Sequence, residues 1–320
     1  MNERTEVEPQ PKLSAVIPNE LAGKRLDQAL SQLFPEYSRN RIQDWIKAGA
    51  VALDGHPAET KRKLIGGEEV VLTPVFESVT QVAPEAIPLH IVYEDEALIV
   101  VDKPQGLVVH PAAGHHDGTL QNALLHYAPA LDKVPRSGIV HRIDKDTSGL
   151  LMVARTVEAH KILVEQLQAH TVHRQYLALV QGTLTGGGTI DLPIGRHGSD
   201  RKRFAVRPDG KPAVTHYRIH ERFAAHTLVE VQLETGRTHQ IRVHMAHIGH
   251  PLVGDPVYGG RARLPQGASP ELIAALQGFK RQALHAGSLG IDHPETGEYM
   301  EWESPLPADF EALLDALRRG

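Results

Sequence analysis

The 320-residue chain contains no cysteine. That absence excludes disulfides, thiolate catalysis, iron-sulfur clusters and cysteine-ligated zinc together. Long apolar runs are missing too: no stretch of about 18 apolar residues occurs, so no membrane span is expected. Residues 1–11 are acidic and polar, with neither the apolar heart of a signal peptide nor a lipidation pattern, and read as a disordered tail on a cytoplasmic protein. A strongly basic balance is also lacking. The net charge is -5, which counts against a protein that simply coats nucleic acid. The charge is unevenly placed, however. Arg196 to Arg218 carries seven Lys/Arg against Asp200 and Asp209, while Asp292 to Gly320 carries eight acids against Arg318 and Arg319. One basic face on an acidic molecule is compatible with that pattern.

What the chain does have is a dense polar cluster between two apolar runs, Gly138-Ile139-Val140-His141-Arg142-Ile143-Asp144-Lys145-Asp146-Thr147-Ser148-Gly149-Leu150-Leu151. The run from Leu150 to Ala154 reads as a buried strand, which makes the cluster a loop feeding a sheet. Asp146, Thr147 and Ser148 fit a polar turn that hydrogen-bonds local backbone equally well. Arg142 and Asp144 fit that reading less, because apolar neighbours pull them inward, where a lone charge is costly unless paired or used.

His-Arg-Ile-Asp-x-x-Thr-Ser-Gly-Leu-Leu resembles the signature of the RluA-type pseudouridine synthases. By that resemblance Asp144 is the catalytic carboxylate, and Arg142 and His141 beside it contact the RNA, Arg142 filling the gap left by an extruded nucleotide. Lys103-Pro104-Gln105-Gly106 with His110-Pro111, Gly254 to Gly259, and Arg281 to Ala286 fit the same family. So does Thr235-Gly236-Arg237-Thr238-His239-Gln240-Ile241-Arg242-Val243-His244, so the resemblance runs over residues 12 to 305. A buried carboxylate needs a cation to keep it ionised and aimed. By motif position Arg242 is that cation, with Arg237 as the fallback. Tyr176, near the start of a strand from Arg174 to Val180, is a core aromatic on its own evidence; the resemblance makes it the ring that stacks on the target base.

Residues 12–73 form a compact first unit. One helix opens at Arg25-Leu26-Asp27 and stops at Pro35; a second follows Ser38 as N-cap and ends at Gly49. A strand over Ala50 to Leu53, an Asp54-Gly55 hairpin turn and a strand over Glu69 to Leu72 complete it. This unit resembles an S4 RNA-binding domain, which implies that Arg39, Arg41, Lys61, Arg62 and Lys63 hold phosphates. Charge alone favours a solvated face. Residues 74–89 contain three prolines and no Lys or Arg, and read as a linker.

The remaining residues, 90–320, are the catalytic domain. Strands over Ile91 to Tyr93, Ala97 to Val101 and Leu107 to Pro111 stand too close together for repeated crossovers, so the fold class expected is α+β: a small S4-like domain linked to a mixed, mostly antiparallel β-sheet of pseudouridine synthase type. Helices are expected over Thr119 to Tyr127 and from Thr156 to about His170. His239, His244, His247 and His250 leave an imidazole metal site formally open, but no His-Glu-x-x-His pattern supports one, and satisfied structural histidines are commoner. Gly186-Gly187-Gly188 lacks the lysine and helix of a phosphate loop and reads as a turn.

The inventory is thus a carboxylate, a guanidinium, a phenol and a basic surround, with no cofactor and no metal. The resemblance implies conversion of uridine to pseudouridine in large-subunit ribosomal RNA, free or in an assembling ribosomal particle, by a monomer. The competing expectations are a transfer-RNA substrate, a non-catalytic RNA chaperone of S4 type, and a histidine-metal phosphodiesterase.

Overall fold

The structure, a computed structural model, describes residues 12–35, 37, 39–73, 82–111, 117–200 and 203–320, the side chains of Asn40 and Arg41 excepted. The chain divides into two compact units, Met1–Gln81 and Val82–Gly320. The expected tail at 1–11, the N-cap Ser38 and residues 74–81 of the expected linker lie outside the described residues.

In the first unit β1 (Leu13–Val16), α1 (Leu26–Leu33), α2 (Arg39–Lys47), β2 (Val51–Leu53), β3 (His56–Pro57) and β4 (Glu69–Leu72) follow in order. The sheet order is β1-β4-β2-β3, all antiparallel. Leu26, Ala29 and Leu30 recur at helical spacing and face Ile42, Trp45 and Ile46 of α2 in one core. Asp54 and Gly55 carry φ of 50° and 78°, the paired positive angles of a tight hairpin turn, which is why Asp-Gly stands there.

The second unit takes in the end of the expected linker. Val82, Ile87 and Leu89 pack against its main core, and the Ala83 carbonyl accepts from Asn122 Nδ2 at 2.8 Å. Its elements are β5 (His90–Glu94), β6 (Leu98–Lys103), α3 (Leu120–Tyr127), β7 (Ser148–Ala154), α4 (Val157–Gln168), β8 (His173–Gln181), β9 (Gly188–Asp191), β10 (Ile194–Arg196), β11 (Phe204–Val206), β12 (Val214–Arg222), β13 (His226–Leu233), α5 (Gln240–His247), α6 (Pro270–Gly278), β14 (Leu284–Asp292), β15 (Tyr299–Glu303) and α7 (Ala308–Arg319). The large sheet runs β5-β6-β7-β14-β8-β13-β12-β9, with β15 on β14. Among its described pairings only β7 with β14 is parallel, so the sheet is mixed and mostly antiparallel.

Alternation sorts the two faces. Ile99, Val101, Leu151 and Val153 point to the side covered by α3 and α5, and Leu98, Val100, Leu150 and Met152 to the side covered by α4. Leu107 to Pro111, expected as a strand, makes only an isolated bridge from Val108 to Thr119. Its carbonyls do other work: Val108 and Val109 accept from the N–H groups of Leu120 and Gln121, donors at the start of α3 that have no partner inside the helix. Thr119 and Thr156 cap α3 and α4 through their hydroxyls.

Candidate active site

The polar loop ends where β7 begins, and its backbone is pinned from below. Lys103 is fully buried, and its Nζ donates to the carbonyls of Pro104, Leu107 and Lys145 at 2.8 to 3.0 Å. Three acceptors match the three N–H bonds of an ammonium. Gln282 Nε2 donates to Thr147 Oγ1, Arg281 Nη1 to the Asp146 carbonyl, and Ser148 Oγ meets His285 Nδ1 at 3.0 Å. These partners, distant in sequence, brace the loop from outside, and the Thr147 N–H closes the turn on the Asp144 carbonyl at 3.1 Å.

Asp144 stands above this base. Arg242, on the first turn of α5, donates from Nη1 to Asp144 Oδ2 at 2.9 Å. Its other edge makes a bidentate pair with Asp255, Nε to Oδ2 at 2.7 Å and Nη2 to Oδ1 at 2.9 Å. Asp255 also accepts from the N–H groups of Val257 and Tyr258. Burial works against both charges, but the contacts outweigh it: Asp255 and then Asp144 hold the guanidinium above its usual range, and Arg242 holds the Asp255 carboxyl below its own. The Asp144 side chain is 16% exposed and that of Arg242 only 5%, so the carboxylate is reachable while its cation is not.

His239 completes the surround. It takes a left-handed φ of 57° just ahead of α5, which turns its ring back over the loop. The Phe204 N–H donates to the Tyr258 hydroxyl, which also hydrogen-bonds His239 Nδ1 at 2.9 Å. The other ring nitrogen, Nε2, lies 4.0 Å from Asp144 Oδ1. Burial keeps this imidazole below its ordinary pKa, with Asp144 opposing. Arg142, Arg174, Tyr176 and Arg237 line the cleft beside these groups.

The expected residues fare differently. Asp144, Arg242 and Tyr176 come together, Tyr176 as a buried ring on β8; burial raises its phenol, Arg174 opposing and Asp144 reinforcing. Arg142 is exposed at the cleft and, among the described residues, makes no hydrogen bond or ion pair. Arg237 lines the wall but spends its Nε on the Pro212 carbonyl. His141 Nε2 accepts from the Met152 N–H at 3.0 Å, which props β7, and burial pushes the imidazole down to about 3, with Arg174 adding to the effect.

Arg39 has a partner within the first unit. Its Nε and Nη2 both donate to Asp27, a carboxylate with no exposed side-chain surface that also takes bonds from Arg25 and Gln43. That pairing ties α2 to α1. Lys61, Arg62 and Lys63 are exposed. Arg41 falls within α2, its side chain outside the described residues.

Two residues of the site go beyond what the sequence motifs imply. Asp255 stands inside a family motif with no role attached to it, although an acid between a glycine and a proline in an apolar stretch is a signal for a buried, paired carboxylate. His239 raises only the question of a metal when read as one of several histidines. Among the described residues no three His, Asp or Glu are arranged to hold a metal ion. His244 bonds Thr215 Oγ1 and the Leu192 carbonyl, and His250 the Gln181 carbonyl.

Comparison with known proteins identifies the family of each unit. The RNA pseudouridylate synthase family matches residues 97–247 and the S4 domain family residues 24–71. Proteins named ribosomal large subunit pseudouridine synthase D are similar over most of the chain. The one from Xanthomonas campestris pv. campestris is 57% identical over 95% of this chain and 92% of its own. That from Pseudomonas aeruginosa is 58% identical over 96% of both, and that from Escherichia coli K12 54% identical over 96% and 94%. Among solved structures, human RNA pseudouridylate synthase domain containing 4 aligns with a TM-score of 0.56 at 26% identity, covering 72% of this chain and 93% of that one.

Proposed function

The chain belongs to the RNA pseudouridylate synthase family, and from that membership we propose that it converts specific uridines of large-subunit ribosomal RNA to pseudouridine, with Asp144 starting the reaction. The names of the relatives support the ribosomal substrate over a transfer RNA. The observation that carries the role of Asp144 is the relay from Asp255 through Arg242. Asp255 fixes one edge of the guanidinium through two bonds, which leaves Nη1 to hold Asp144 Oδ2 in a fixed direction. Oδ1 accepts no hydrogen bond among the described residues and is the oxygen available to react.

Breaking the N-glycosidic bond requires either attack on the ribose or removal of a ribose proton, and Oδ1 is placed for both. The freed uracil turns in place against the Tyr176 ring. C5 then bonds to C1′, and the C5 proton is lost. No energy source is needed, because the carbon-carbon glycosidic bond formed is the more stable one. Arg142 has its guanidinium free at the cleft mouth to enter the space vacated by the extruded nucleotide. Ribosomal RNA as substrate supports a cytoplasmic location. No helix among the described residues is long and apolar enough to cross a membrane.

The test is release of tritium from uracil C5 in unmodified large-subunit RNA, with wild type, Asp144→Ala and added EDTA run in parallel. Release by wild type alone, unaffected by EDTA, is expected. Release only from transfer RNA would move the substrate. RNA binding without release from any RNA would favour the chaperone, and shortened RNA that EDTA protects would favour the phosphodiesterase.

A further inference from the structure

We propose that Arg174 is a second catalytic residue, donating hydrogen bonds to the uracil oxygen that gathers negative charge as the N-glycosidic bond breaks. This rests on the functional reading above. Side chains alternate along β8, so Arg174 and Tyr176 share the face that looks into the cleft, while Gln175 lies on the other face against Glu230. Arg174 is only 6% exposed. A guanidinium so placed is expensive unless its charge and its N–H groups are used.

In the structure they are used in part. Nη2 donates to the carbonyls of Leu233 and Glu234 at 3.4 and 3.1 Å. Nε is shut off from solvent with no partner. Nη1 makes no hydrogen bond among the described residues and lies against Gly236, where an added Cβ would stand 3.0 Å from it. No carboxylate pairs with Arg174 among the described residues, in contrast to Arg242, which holds two. A buried cation with spare donors and no anion, in the wall of a cleft beside the reactive carboxylate, suits a charge that exists only during the reaction.

The chemistry supplies that charge. When the bond breaks, its electron pair leaves C1′ with N1 and spreads over N1, O2 and O4 of the ring. Asp144 compensates at the sugar, by bonding to it or by taking its proton. No proton passes through Arg174; its Nη1, with Nε after a small side-chain shift, donates to one of the charged oxygens. The charge is discharged when C5 attacks C1′.

The experiment follows single-turnover loss of the original nucleoside in full-length protein, for uridine-containing RNA and for RNA carrying 5-fluorouridine, whose base departs as a more stable anion. Arg174→Ala is expected to slow the uridine reaction on the order of a hundredfold with RNA affinity unchanged. The deficit should shrink with 5-fluorouridine, and added guanidinium ion should restore part of the rate. Gly236→Ala keeps the guanidinium and crowds Nη1, so it should show the same nucleoside-dependent deficit even if Arg174→Ala does not fold. An equal deficit for both nucleosides, or lost RNA affinity with an intact rate at saturation, overturns the proposal and leaves Arg174 as a clamp on the end of β13. An inactive wild type would instead unseat the functional reading.

Discussion

Asp255 decides how Arg242 behaves, because a guanidinium held by two bonds on one side presents its third nitrogen in a fixed direction. Asp255→Asn leaves the cation under-paired in the interior. The expected result is a stability loss of about 3 kcal/mol in denaturant titration, together with a fall in single-turnover rate that Asp255→Glu does not rescue. His141 sets a pH dependence of its own. Its folded pKa, about 3 against an ordinary 6.5, lies below the unfolded value. The unfolded chain therefore binds more protons between those two pH values, and stability falls as pH drops through that window while nothing is lost above it. Comparison of melting curves should show His141→Gln, which keeps an acceptor for the Met152 N–H, sparing up to about 2 kcal/mol of acid destabilisation at pH 5. That Asp144, Arg242 and Tyr176 would share one cleft was legible because their motifs fix residue type and order. The pairing of Arg39 with Asp27 was not, since the two lie twelve residues apart on different helices and both look like surface charges. The pull of His141 toward the Met152 backbone was hidden likewise, because a ring nitrogen that accepts from a strand leaves no periodic trace.

At the level of elements, the loop that carries Asp144 depends on how closely β7 approaches β14. Gly149 has a φ of 111° and lies opposite Ala286 in the parallel pairing, where an added Cβ would fall 2.2 Å from the Ala286 carbonyl oxygen. Neither backbone can yield without opening the pairing, so Gly149→Ala should cost about 3 kcal/mol or more. Gly106→Ala, at φ 84° with open space around it, should cost only about 1 to 2 kcal/mol. Equal midpoints in denaturant titration would mean that backbone conformation, and not the close approach, is what Gly149 supplies. Most elements could be read from the sequence because their apolar periods and caps agree, as at Thr156 and along α1. The strand expected at Leu107 to Pro111 failed because its apolar run is spent covering the core while its carbonyls receive the start of α3. Sequence pattern reports burial there, and cannot report which backbone groups become the partners.

For the whole molecule, the two units each carry a core of their own, and their chemical equipment differs. The second holds every group placed around Asp144. The first offers exposed Lys61, Arg62 and Lys63, while its Arg39 is held by Asp27. On a chain of net charge -5, attraction to RNA has to come from such local patches and not from the molecule as a whole. Each phosphate that the protein no longer neutralises should reduce the slope of log affinity against log salt by about 0.7 to 0.9. Replacing all three residues by glutamine should therefore flatten that slope by roughly 2 to 3, weaken binding most at low salt, and leave the rate at saturating RNA unchanged. Titrations of wild type and the triple variant over a range of salt concentrations read this directly. An unchanged slope would make 61–63 a solvated face and leave the second unit to hold the RNA itself. A flattened slope with a slower saturated rate would mean that the first unit also aligns the RNA for Asp144, a role that charge attraction alone does not supply.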